Sequence, residues 1–125
     1  MADSPEVIEA KEKTNDREFF LNRVKEIPSL IEWANEEIRD DKDVIMNALE
    51  ADGGALEFAS NRLKDDKEVI LKAVNKAGWT CCYASERLKG DKDVAIAAVS
   101  KGKAKVLEYI SPELREDEEI KKMLE

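Results

Sequence analysis

Four aspartates, Asp16, Asp41, Asp66 and Asp91, stand 25 residues apart, and each opens the same phrase. A basic residue follows (Arg17, Lys42, Lys67, Lys92), then an acid (Glu18, Asp43, Glu68, Asp93), then an apolar residue (Phe19, Val44, Val69, Val94). Five positions on come Val24, Leu49, Val74 and Val99, and nine beyond those come Trp33, Phe58 and Tyr83. The fourth unit carries one extra residue and reaches Tyr109. The units close on Ile38, Leu63, Leu88 and Leu114, and a fifth copy starts at Asp117 and runs out after Leu124. A unit this short has too little apolar surface to form its own core, so it must stack on its neighbours.

The repeat divides the chain as one domain, residues 1–125, with a capping helix over 1–13, repeats over 14–39, 40–64, 65–89 and 90–115, and a half-repeat cap over 116–125. Each unit reads as two helices. The first starts with Asn15, Asp40, Asp65 or Gly90 at the N-cap and an acid three residues later, as in a capping box. Val44, Ile45, Met46, Ala48 and Leu49 make an apolar stripe too wide for one contact, which implies cover on two sides. Pro28, Gly53 or Gly78 then breaks the pattern. In the shorter second helix, Leu56, Phe58, Ala59 and Leu63 form the packing face, with Glu57 and Arg62 outward. Ser4 and Pro5 suit the start of the capping helix, and Ile120, Met123 and Leu124 share one face of the terminal half-repeat. The fold class is all-α: short helical hairpins stacked as a solenoid-like or compact repeat domain.

Composition agrees. Only 6% of residues are aromatic, and glycine (5) and proline (3) are too scarce for a turn-rich β protein. With 29 acidic and 21 basic residues the net charge is −8, which disfavours direct binding to nucleic acid or an anionic membrane. No apolar run reaches the ~20 residues of a membrane span. Two cysteines without a disulfide framework suit a reducing compartment, so the cytoplasm is the expected location.

The stretch from Lys76 to Leu88, "KAGWTCCYASERL", invites a search for chemistry. Set against the other units, Cys81 falls at the place of Ile31, Leu56 and Leu107, and Tyr83 at that of Trp33, Phe58 and Tyr109; both read as core. Cys82 falls at the place of Glu32, Glu57 and Glu108 and should face water. Two adjacent thiols, in a chain with no histidine, supply neither an unstrained disulfide nor a zinc site. Trp79 replaces Ser29, Gly54 and Lys105, so the repeat itself has no use for that ring. One reading has the ring cover the junction beside Gly78; the other starts from the enrichment of tryptophan among interface anchors and makes Trp79, with Cys82, the candidate partner contact.

Other constellations point to structure. "RDDKD" and "KDDKE" gather carboxylates, but they lack the glycine and glutamate of a calcium-binding helix-loop-helix and recur at every helix start, as caps do. "ADGGAL" has no lysine-serine or lysine-threonine pair to make a phosphate loop. No catalytic residues, cofactor or metal site is expected, and the chain reads as no enzyme.

The units "LKDDKEVILKAVNKAG" and "YASERLKGDKDVAIAAV" resemble the tandem repeats called domain of unknown function 4116. The resemblance covers roughly residues 40–115, and the first unit departs from it at Phe19, Phe20, Pro28 and Trp33. It implies short helical repeats and supplies no activity, cofactor or catalytic residue. The tail from Glu116 to Glu119 also looks like the glutamate-rich C-terminal stretches of some bacterial type IV secretion effectors. That likeness would imply delivery into a host cytoplasm. The leading expectation is a helical repeat module that binds another protein. The alternatives are an acidic inhibitor occupying a basic nucleic-acid-binding groove of its target, a secreted effector, a piece of a longer array, and an enzyme with an unrecognised carboxylate site.

Overall fold

In the computed structural model, which describes residues 2–125, the chain begins with α1 (Pro5–Glu12). The first unit runs α2 (Arg17–Arg23), the 3₁₀ helix η1 (Pro28–Trp33) and α3 (Glu36–Arg39). The second repeats this as α4 (Lys42–Ala51), η2 (Gly53–Phe58) and α5 (Asn61–Lys64). The third is α6 (Lys67–Lys76), η3 (Gly78–Tyr83) and α7 (Glu86–Lys89). The fourth is α8 (Lys92–Gly102), η4 (Lys103–Tyr109) and α9 (Pro112–Arg115), and α10 (Glu118–Met123) follows. The described residues contain no strand.

Two sequence expectations are corrected here. The helix caps lie one residue later than the capping-box spacing suggests, at Asp16, Asp41, Asp66, Asp91 and Asp117. Asp41 Oδ1 accepts from the N–H groups of Asp43 (3.1 Å) and Val44 (3.3 Å), and Asp66 and Asp91 repeat the arrangement. Each such cap is worth ~1 kcal/mol. Asp40, Asp65 and Gly90 instead terminate the preceding short helix.

The second correction concerns the second helix, which is two pieces. A 3₁₀ helix ends at an extended residue (Ala34, Ala59, Ala84 or Ile110), and a single α-turn begins after it. Asn35, Ser60 and Ser85 restart the chain by accepting from the N–H groups of Ile38, Leu63 and Leu88. A polar side chain that satisfies the free donors of a new turn offers the backbone an alternative to continuing the old helix. The fourth unit's extra residue sits at the start of η4, where Lys103 has φ 55°.

The long helices pack on one another in unit order, and so do the 3₁₀ helices. Each of η1, η2 and η3 also packs against the long helix of the following unit. That two-sided cover explains the wide apolar stripe: Val44, Ile45, Ala48 and Leu49 are all inaccessible to solvent. Leu56 and Leu63 join them, as does Cys81, while Glu57 and Arg62 face outward as expected. The recurring aromatics depart from expectation. Trp33, Phe58, Tyr83 and Tyr109 are half-buried and rest on the rim of the core, because the tightly wound 3₁₀ helix turns that position partly toward water. At the ends, α1 packs on η1 and α10 on α8.

Gly53 and Gly78 set how closely units approach. A Cβ at Gly53 would stand 2.9 Å from the carbonyl oxygen of Ala73 in α6, and one at Gly78 would stand 2.6 Å from that of Ala98 in α8. Neither glycine has a positive φ, so it is space rather than torsion that demands glycine.

Polar links repeat across the junctions. Arg17 donates to Asp41 (2.5 Å) and Asp43 (3.2 Å), and Lys42 pairs with Asp66 (2.9 Å) and Glu68 (2.6 Å). Lys67 pairs with Asp91 and Asp93, and Lys92 with Asp117 and Glu119. From the second unit onward the phrase divides the work: the aspartate caps and shares the preceding unit's cation with the second acid, while the phrase's own cation reaches forward. On the opposite edge, Ser60 Oγ (2.5 Å) and Arg62 Nε (2.8 Å) donate to Asp40, as Ser85 (2.5 Å) and Arg87 (2.9 Å) do to Asp65. A backbone bond joins successive units beside them, Ser60 to Arg39, Ser85 to Lys64 and Ser111 to Lys89, and Asn35 to Thr14 ties the first unit to the segment before α2 in the same way.

Candidate interaction surface

The ladders decide which charges are free to meet a partner. Arg17, the largest influence on Asp41, holds that carboxyl below its ordinary value. At Asp66 and Asp91 partial burial is the largest single influence and pushes upward. The lysine of the preceding unit and the capped N–H groups outweigh it, so both lie below the ordinary value. Asp40 and Asp65 are lowered chiefly by the hydroxyls of Ser60 and Ser85, then by Arg62 and Arg87. These carboxylates are committed to the fold.

The ladders leave charges of both signs unpaired among the described residues: Lys64 on α5 and Lys103 and Lys105 on η4 among the cations, and a set of acids on the 3₁₀ and short helices of the first, second and fourth units. Among the described residues Glu32, Glu36, Glu37, Asp52, Glu57 and Glu108 have no cation within ion-pair distance. The half-buried aromatics occupy the same face. Phe58 stands between two concavities there. One is a groove of about 570 Å³ beside Glu36, Glu37 and Ser60; the other is a cleft of about 260 Å³ lined by Ser29, Asp52, Gly54, Ala55, Glu57, Phe58 and Trp79.

Trp79 builds that cleft from the neighbouring unit. It is the first residue after Gly78 in η3, and 47% of it remains exposed. Its ring lies over Gly54, so that a Cβ there would sit 3.5 Å from Trp79 Cη2. On the other side it meets Tyr83 edge-on, with ring centroids 5.9 Å apart. The repeat alignment pairs Trp79 with Gly54, and this pairing is the sequence signal for the cleft: the smallest residue in one unit makes room for the largest in the next. The roles of Phe58, Glu57 and Asp52 depend on the 3₁₀ geometry and were not visible in the sequence.

Cys82 lies outside the cleft lining and is half-buried, where its counterparts Glu32, Glu57 and Glu108 are exposed. Burial is the main cause that raises its thiol above the ordinary value; it pushes Cys81 up to about 11. Both thiols are therefore protonated near neutral pH and poor nucleophiles there. Structure thus separates the two sequence candidates: Trp79 walls a concavity, and Cys82 packs beside it.

Among the described residues, no group of three or more histidine, cysteine, aspartate or glutamate side chains is placed to hold a metal ion. No helix described is long and apolar enough to cross a membrane. In comparison with known proteins, the family described as Domain of unknown function (DUF4116) matches three times in tandem, over residues 16–64, 41–89 and 66–115. Successive matches overlap by a whole unit, so each spans two adjacent units and the junction between them. No curated protein and no solved structure matches the chain.

Proposed function

We propose that this chain, which belongs to the Domain of unknown function (DUF4116) family, is a non-enzymatic module that binds another protein through the exposed face of its 3₁₀ helices. The observation that carries this reading is Trp79, a large ring 47% exposed at a position where the other units have Ser29, Gly54 and Lys105. With about half of its surface in water, the indole forgoes part of the roughly 1.5–3 kcal/mol that full burial of a large apolar side chain is worth, and nothing in the repeat requires that loss. Tryptophans held this way, at the edge of a concavity and ringed by polar groups, are the usual anchors of protein interfaces. Work in a reducing cytoplasm is in keeping with two free cysteines.

Affinity capture tests the proposal, with the wild-type chain and Trp79→Ala compared at low and moderate salt after circular dichroism has shown equal folding. A protein held by wild type at both salt levels and lost by the variant is the expected result. Capture that ignores Trp79 and disappears with salt would overturn it in favour of an acidic inhibitor that covers a basic groove, because exposed charge pairs are screened and an aromatic anchor is not.

A further inference from the structure

The cleft under Trp79 assembles two aromatic rings, Trp79 and Phe58, and two carboxylates, Asp52 and Glu57, in about 260 Å³. Neither carboxylate has a cation within ion-pair distance among the described residues. Asp52 spends one oxygen on the N–H of Gly54 at 2.8 Å, and Glu57 is exposed with no recorded partner. The negative charge of Glu57 reaches its surroundings, since it contributes to raising both Cys82 and Tyr83. Aromatic faces and carboxylates attract the same species, a cation whose hydrocarbon stem packs on the rings while its head meets the charge.

The chain's own lysines show which rings are already served. Lys11 Nζ lies 4.4 Å from the centroid of a Trp33 ring, Lys13 Nζ 5.3 Å from that of Phe19, and Lys64 Nζ 5.8 Å from that of Tyr83. Among the described residues, Trp79 and Phe58 have no such ammonium over them, although tryptophan is the best cation-binding ring and Trp79 is the most exposed aromatic of the face. Two of the unpaired carboxylates, Asp52 and Glu57, line the same cleft as these two rings. Lys64, over Tyr83, lies outside the cleft lining.

We infer that this cleft is a receptor for one lysine or arginine side chain of a partner protein, with Trp79 and Phe58 as the walls and Glu57 and Asp52 as the counter-charge. The inference rests on the interaction-module reading and gives it a chemistry: the partner segment is basic, and Trp79 is anchored upon rather than inserted.

Trp79 fluorescence provides the test. Trp33→Phe leaves Trp79 as the sole tryptophan of the chain, and phenylalanine is the residue the second unit itself carries at that place (Phe58). The probes are acetyl-Gly-Lys-Gly amide and the same tripeptide with norleucine, which keeps the stem and lacks the charge. The expected result is a saturable change in Trp79 emission with the lysine peptide, at a Kd about tenfold below that of the norleucine peptide. Glu57→Gln in the same background should weaken the lysine peptide by about threefold and leave the norleucine peptide unchanged. Equal binding of the two peptides, no binding of either, or indifference to Glu57→Gln would each overturn the inference. Failure here is separable from failure of the module reading. A captured partner that needs Trp79, yet tolerates Glu57→Gln and neutralisation of its own basic residues, would sink the receptor and leave the module standing.

Discussion

Gly78→Ala measures how closely two units sit. Alanine normally gains ~0.4–1 kcal/mol over glycine where the backbone permits it, because the unfolded chain has less freedom to lose. Gly78 has no positive φ, so the backbone permits it. The methyl, however, would stand 2.6 Å from Ala98 O, 2.8 Å from Gly102 N and 3.1 Å from Lys101 Cβ, all on α8. Two of those atoms belong to helix backbone and have no rotamer to escape into. The third and fourth units must therefore part by several tenths of an ångström, loosening the packing of η3 on Val94 and Val99. Overpacking of this kind costs ~1–3 kcal/mol, enough to reverse the entropic gain. Gly54→Ala is the matched control: its methyl would meet only Asp52 Oδ1 at 3.2 Å and Trp79 Cη2 at 3.5 Å, both on side chains that can yield. Urea unfolding followed by circular dichroism should give Gly78→Ala a lower midpoint at unchanged slope, and Gly54→Ala a midpoint near wild type. Equal midpoints for the two variants would refute the claim that glycine is required by inter-unit distance.

Two further outcomes follow from the caps and ladders. Asp66→Ala should cost ~1 kcal/mol through the lost N-cap, and Asp65→Ala should cost less, since its partners Ser85 and Arg87 are reached on an exposed edge; urea midpoints in the reverse order would return the cap to Asp65. The carboxyls of Asp41, Asp66, Asp91 and Asp117 lie below 3.8 in the folded chain, so each adds stability that is complete above its unfolded pKa and is lost as pH falls through its folded value. Urea midpoints should be level from neutral pH to about pH 5 and fall steeply below 3.8, and an unchanged midpoint at pH 3 would contradict the role given to these residues.

The period of the chain was legible because it is written in residues that do physical work at every junction: a cap, a bridge and an acceptor. The placement of the core followed, since Leu56, Leu63 and Cys81 align with apolar residues in the other units. The 3₁₀ helices were not legible. Leu56, Ala59 and Leu63 recur at three and four residues, a spacing that fits one continuous α-helix equally well. The break is marked only by Ser60, whose hydroxyl serves a turn that apolar periodicity does not report. The same blindness sent the aromatics to the core, because a 3₁₀ turn rotates Phe58 and Tyr83 away from where an α-turn would point them. For the site, the repeat alignment singled out Trp79, which stands where other units have Ser29, Gly54 and Lys105, whereas Glu57 and Asp52 looked like two more surface acids. What sets them apart from the other unpaired acids is their place in the cleft beside Trp79 and Phe58.

The forward-reaching cation makes each junction an identical coupling, independent of which two units it joins. Excising residues 41–65 would bring Arg17 against Asp66 and Glu68, the same acceptor pair in kind as Asp41 and Asp43, and duplicating that segment would do the reverse. Length can therefore change by 25-residue steps through simple gene duplication or loss, with the forward ladder already in place at the new junction. Copy number becomes the variable that selection tunes, while a single unusual unit, the one that carries Trp79, keeps its identity inside an array of interchangeable neighbours.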